Sequence, residues 1–129
     1  MSALRSSAVR PLRILCATAD PAQRRTLLSA LAAPGRTVEC VRDGRQALAG
    51  VARPGACDVV FAAHALPGLS GLALMRQLRA AGFDGRVVVL CASASAALVA
   101  GYRALGVTTL LFAPAPAALL RAAADDASL

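Results

Sequence analysis

The side chains able to do chemistry are few and widely spaced. Cysteines stand at positions 16, 40, 57 and 91, the one histidine is His64, and the seven acids are spread along the chain. Fourteen arginines supply all the basic side chains, and lysine is absent. No two cysteines form a C-x-x-C pair, so no zinc or dithiol motif is spelled out locally. No Gly-rich phosphate loop occurs, which leaves a dinucleotide or P-loop site unsupported.

The elements that must position these groups are legible. Five short apolar runs recur, at Leu12–Ala17, Thr37–Val41, Val59–Ala63, Val87–Cys91 and Thr108–Phe112. Most are continuously apolar, as strands buried on both faces are. Helical segments with clear ends lie between them. Asp20-Pro21 starts the first with a cap and a proline at the first helical position, and Leu27, Leu28 and Leu31 give it an inward stripe. Asp43 caps a second that stops at Arg53-Pro54-Gly55. Ser70 caps a third, with Leu74 and Leu78 on one face. A fourth runs from about Ser95 to Leu105, and a fifth begins near Pro116. Strands alternating with helices predict an α/β fold: a flavodoxin-like (βα)5 three-layer sandwich whose parallel sheet has strand order 2-1-3-4-5. Residues 1–10 read as a polar N-terminal arm and residues 11–129 as one domain.

Composition narrows the class. With 57% hydrophobic and 16% charged residues, the chain is neither disordered nor fibrous. Its longest apolar runs fall short of the roughly 18–20 residues of a membrane span. The first ten residues lack the apolar block of a secretory signal. The expectation is a cytoplasmic protein with four free thiols and no membrane partner. The net charge of +7 invites a nucleic-acid partner. However, the arginines come singly or in pairs, without a run, and an all-Arg, Ala-rich composition reflects a GC-rich genome more often than a binding surface. Four dispersed aromatics make no stacking platform.

In such a sheet, ligands sit beyond the carboxyl ends of the strands. Here the residues at those ends resemble those of a known family, the receiver domain of bacterial response regulators, over residues 12–125. The stretch from Ile14 to Pro21 with Arg24 is similar to the family's first strand and helix start. Asp58 through Gly71, with its Pro67-Gly68 loop, is similar to its third strand and most specific loop. Val87 to Ala92 resembles the fourth strand, and Gly106 to Pro114 the fifth with its terminal X-Pro. The resemblance implies a site in which an acid cluster holds Mg²⁺ and an Asp accepts a phosphoryl group. A hydroxyl and a Lys then contact the phosphoryl oxygens. In this chain the acid pair falls on Thr18 and Ala19, the acceptor on Ala63, the hydroxyl on Cys91 and the Lys on Ala113. The aromatic that changes rotamer in the family falls on Leu110. Asp20 remains near the crevice but alone. Asp58, five residues before Ala63, lies about 16–17 Å away at the other end of its strand.

The chain therefore reads as a degenerate pseudo-receiver. It is not an enzyme, since no nucleophile and base converge at the strand ends. It needs no cofactor, and it acts by protein–protein contact without phosphorylation. The alternative is a basic nucleic-acid-associated regulator, or the regulatory domain of a larger protein. Asp20, His64 and Cys91 amount to three candidate zinc ligands where a structural site takes four, so the expectation is no metal, a buried thiol and a solvated imidazole. Cys16 and Cys40 fall on neighbouring strands; the expectation there is two buried thiols acting as small hydrophobes, with a redox pair as the alternative. From Ser95 to Ala124 the charges are Arg103 and Arg121 alone. That apolar face, with Leu98, Val99, Tyr102, Leu110 and Leu119, is expected to meet a protein partner or a second copy of the chain.

Overall fold

The computed structural model describes residues 11–52, 55, 57–107 and 109–125. The expected arm at 1–10 and the last four residues lie outside that range. Five strands, β1 (Leu12–Ala17), β2 (Arg36–Val41), β3 (Val59–Ala63), β4 (Arg86–Cys91) and β5 (Thr109–Phe112), alternate with five helices. The helices are α1 (Pro21–Leu31), α2 (Gly44–Val51), α3 (Gly71–Ala80), α4 (Ala96–Ala104) and α5 (Ala117–Asp125). The strands are all parallel, in the order β2-β1-β3-β4-β5. The expected fold class is the observed one.

Local chemistry explains the boundaries. Asp20 accepts a hydrogen bond from the Ala22 amide (2.9 Å), and Asp43 from that of Gln46 (2.8 Å). Ser70 accepts from Ala73 (3.2 Å) and Ser95 from Leu98 (3.1 Å). Each cap satisfies an amide that the helix leaves orphaned, a contribution of about 1 kcal/mol. Gly82 and Gly106, with φ of 95° and 80°, take the left-handed conformation just past the ends of α3 and α4, where a side chain would be strained.

Because strand side chains alternate, the sheet feeds two cores. Ile14, Val59, Phe61, Val88 and Leu90 point toward α1 and α5, meeting Leu27, Leu31 and Leu120. Leu15, Val60, Ala62, Val87 and Val89 point the other way, toward α2, α3 and α4, and meet Leu74, Met75, Leu78 and Tyr102. The central strand β3 is buried along its whole length. The edge strands β2 and β5 are only partly covered.

The amino ends of the strands hold a polar layer. Asp58 accepts from the Arg13 amide at 2.8 Å, with the Arg13 guanidinium 3.9 Å away. Arg79 donates to the carbonyls of Leu105 (2.9 Å), Phe83 (2.8 Å) and Gly85 (3.0 Å), closing the chain after α3 and α4. Arg36 pairs with Asp125 at the end of α5. Asp58 is thus a structural residue, remote from the carboxyl-end crevice as its spacing from Ala63 predicts.

Candidate functional site

The crevice at the carboxyl ends is assembled by main-chain bonds between consecutive strand exits. The Thr18 amide donates to Val41 (3.0 Å), that of His64 to Leu90 (2.9 Å), and that of Ala113 to Cys91 (2.9 Å). Ala63 lies opposite Leu90 in the β3–β4 ladder. These bonds bring Thr18, Ala63, Cys91 and Ala113 to one end of the sheet, as the sequence pattern places them. Asp20 and Ala113, with Pro114, face a common cavity of about 350 Å³ between α1 and α5, walled by Gln23, Thr26, Leu27, Leu90 and Leu120.

The side chains at these positions have little chemistry left. Thr18 is only 2% exposed, and its hydroxyl donates to Gln23 Oε1 (2.6 Å) while accepting from the Asp20 amide (3.2 Å). Ala19, Ala63 and Ala113 present methyl groups, which neither bind a cation nor attack an electrophile. The Cys91 thiol is raised above its usual pKa by burial and sits 3.8 Å from the Leu111 carbonyl. It therefore stays protonated and weakly nucleophilic at neutral pH. The carboxylates that follow β1 and β2, Asp20 and Asp43, both act as helix caps. A hard divalent cation such as Mg²⁺ needs near-octahedral oxygen ligands with one or two free carboxylates. A capping Asp20, an engaged hydroxyl at Thr18 and three methyl groups do not fit that requirement. Among the described residues, no three His, Cys, Asp or Glu side chains are grouped to hold a metal.

Two expected placements are corrected. His64 is not a freely solvated imidazole: its Nδ1 lies 2.7 Å from the Tyr102 hydroxyl, and the two rings meet edge to face at 5.7 Å. Tyr102 in turn is 0% exposed, so it is a core residue rather than part of a contact surface. Burial holds the Tyr102 hydroxyl protonated well above its usual range. Its ring shares the Leu98/Leu105 stripe, and that stripe is the one α4 turns onto the sheet. The largest side chain of the stripe fills the space beneath α4, with its polar tip meeting the histidine that follows β3. The same contact explains Gly71. A Cβ there would come within 2.5 Å of the Tyr102 hydroxyl and 2.9 Å of the Ala63 carbonyl, so α3 starts hard against the end of β3 only because that residue is glycine.

Of the remaining residues of the expected contact face, Leu98 and Leu110 pack in part against the core on the α4 side of the sheet. Leu98, Val99 and Leu110 are half-buried, and Leu119 is 50% exposed. Phe112, at the end of the edge strand β5, is 61% exposed, an outcome that apolar periodicity alone does not mark. A large aromatic on a short edge strand was the signal available. By contrast, several arginines that raise the net charge are engaged internally, Arg13, Arg36 and Arg79 among them.

Residues 14–125 match the family model described as response regulator receiver domain. The response regulator MprA of Mycolicibacterium vanbaalenii is 42% identical over 84 residues, covering 64% of this chain and 35% of that protein. MprA of Mycobacterium sp. strain KMS is 40% identical over 84 residues, with the same coverage. The chain thus spans about a third of the length of the curated relatives it matches. Among solved structures, the signal receiver domain of an HD domain-containing protein from Pseudomonas fluorescens Pf-5 superposes with a TM-score of 0.83. It is 23% identical, over 92% of this chain and 95% of that one. A chain of the CheX-CheY-BeF3-Mg²⁺ complex from Borrelia burgdorferi gives a TM-score of 0.86 at 16% identity, over 96% of this chain and 94% of that one.

Proposed function

This chain belongs to the response regulator receiver domain family of two-component signalling, and we propose that it is a pseudo-receiver, working in the cytoplasm without being phosphorylated and without catalysing a reaction. The observation that carries this reading is the set of side chains at the strand ends. The position that resembles the phosphoryl acceptor is Ala63, a residue with no nucleophilic atom. The acid pair is replaced by an engaged Thr18 and by Ala19, and Asp20 caps α1. The chain has no lysine to meet a phosphoryl oxygen. Phosphoryl transfer depends on metal and cationic stabilisation of the moving charge, and none of these groups supplies it. The test is incubation with acetyl phosphate and Mg²⁺ followed by intact mass measurement. The expected result is an unmodified chain; a phosphoryl adduct lost on mild base treatment would overturn the reading.

Output then passes through contact. The face formed by α4, β5 and α5 has Phe112 and Leu119 exposed beside half-buried Leu98, Val99 and Leu110, and the charges on these elements are Arg103, Arg121 and Asp125. A surface of this kind is covered more stably by another apolar surface than by water. We assign it to a second copy of the chain in a two-fold dimer, in which each apolar patch meets its own equivalent. A protein partner can compete for the same face, as receiver domains in complexes such as CheX-CheY do have protein partners. With no phosphorylation to gate it, association is constitutive. Light scattering across a concentration series should report a dimer that Leu119→Arg dissociates. A wild-type chain that stays monomeric at high micromolar concentration would refute the dimer.

A further inference from the structure

We propose that Cys16 and Cys40 form a peroxide-sensitive dithiol site on the seam between β1 and β2, which closes reversibly to a disulfide. The two residues are direct partners in the parallel ladder. Partners in register point their side chains to the same face, and both pack into the core beneath α1. Neighbouring strands lie about 4.7–4.9 Å apart, inside the roughly 4.4–6.8 Å window of Cα separations that a disulfide spans. The pair is also asymmetric. Cys16 is fully buried, whereas Cys40 lies on the edge strand and is partly open to solvent.

The electrostatics divide the roles. A hydrogen bond from Cys16 lowers the Cys40 thiol to about 7, and the charge and hydrogen bond of Arg24 on α1 act in the same direction. Burial and Glu39 oppose the shift but are outweighed. Cys16 moves the opposite way, because the proton it shares with Cys40 and its burial both disfavour its thiolate. The other thiols are unsuited to the reaction: burial pushes Cys57 up to about 11 and also raises Cys91. A thiolate that is both exposed and stabilised is the one that reacts with peroxides.

The chemistry closes with hydrogen peroxide as oxidant. The Cys40 thiolate attacks one peroxide oxygen, the O–O bond breaks, and after proton uptake the products are a Cys40 sulfenic acid and one water. The Cys16 sulfur then attacks the Cys40 sulfur, the S–O bond breaks, and the Cys16 proton leaves with the hydroxide as a second water. Two thiols and one peroxide give one disulfide and two waters. The product ties the edge strand β2 to β1, two residues before Thr18 at the mouth of the crevice.

The whole reduced chain tests this directly. Trypsin separates the four cysteines into peptides 14–24, 37–42, 46–76 and 87–103, so each thiol can be followed on its own. After brief treatment with a few equivalents of hydrogen peroxide and alkylation, the expected product is peptide 14–24 linked to 37–42. It should be two hydrogens lighter than their sum and vanish with dithiothreitol. Cys16→Ser should leave a Cys40 sulfenic acid that dimedone traps. At pH 7 iodoacetamide should label Cys40 about tenfold or more faster than Cys57 in the untreated wild type. The proposal is overturned if the 14–24 and 37–42 peptides remain separately alkylated, or if links to 46–76 or 87–103 form at the same rate. It is equally overturned if Cys40 labels no faster than Cys57. The wild-type map decides the matter even where a variant fails to fold.

Discussion

The two ends of the sheet use polar side chains in opposite ways. At the amino ends, charged groups are many and engaged: Arg79 closes three carbonyls, Asp58 holds the Arg13 amide, and Arg36 meets Asp125. At the carboxyl ends, where ligands of this fold bind, the crevice is lined by methyl groups, a buried hydroxyl and a protonated thiol. Its nearest carboxylate, Asp20, caps a helix. Both ends thus stabilise the fold, the amino ends through charged side chains that close loops and the carboxyl ends through short helix caps.

Substitutions can break or sharpen that contrast. The largest effect is expected at the amino end. Arg79→Met removes donors from three carbonyls of restricted access and should cost about 2–4 kcal/mol, read as a fall in the urea midpoint. A loss below about 1 kcal/mol would show that this polar layer is ornamental. At the carboxyl end, Asp20→Ala should cost about 1 kcal/mol through the lost α1 cap. It should leave the response to Mg²⁺ unchanged, because the carboxylate is used structurally. Loss of a measurable Mg²⁺ affinity would show instead that Asp20 is a ligand. Smallest of the three, Tyr102→Phe removes a single hydrogen bond, whose partner His64 is half exposed and can turn to water. About 0.5–1.5 kcal/mol is expected, without change of fold. A much larger loss would mean that the Tyr102–His64 pair holds α4 to the end of β3 more firmly than the rest of its packing does.

The sequence shows the fold well because its signals are local. The caps at Asp20, Asp43, Ser70 and Ser95, the glycines after α3 and α4, and the unbroken apolar strands each follow from short-range rules. Alternating strands and helices then leave the observed strand order as the natural one. The positions at the strand ends are legible for the same reason, since they are fixed by where each strand stops. Tertiary pairings are not. Tyr102 sits in a helical stripe that periodicity can detect but cannot orient, so its burial and its bond to His64 emerge only when α4 is placed. Arg79 looks like an ordinary surface cation near a helix end, because the carbonyls it closes come from Phe83, Gly85 and Leu105. Cys16 and Cys40 fall on neighbouring strands by topology alone, but a shift of one residue in register would send them to opposite faces.

Amide NMR during titration with beryllium fluoride and Mg²⁺, which together mimic a bound phosphoryl group, tests the central claim most directly. It reads the six strand-end positions one by one. With no acceptor at Ala63, no acid pair at Thr18 and Ala19 and no lysine at Ala113, the amides of Ala63, Cys91 and Ala113 should keep their shifts throughout. Saturable shifts confined to those residues would contradict the account, because they would mean that the crevice still binds the phosphoryl mimic.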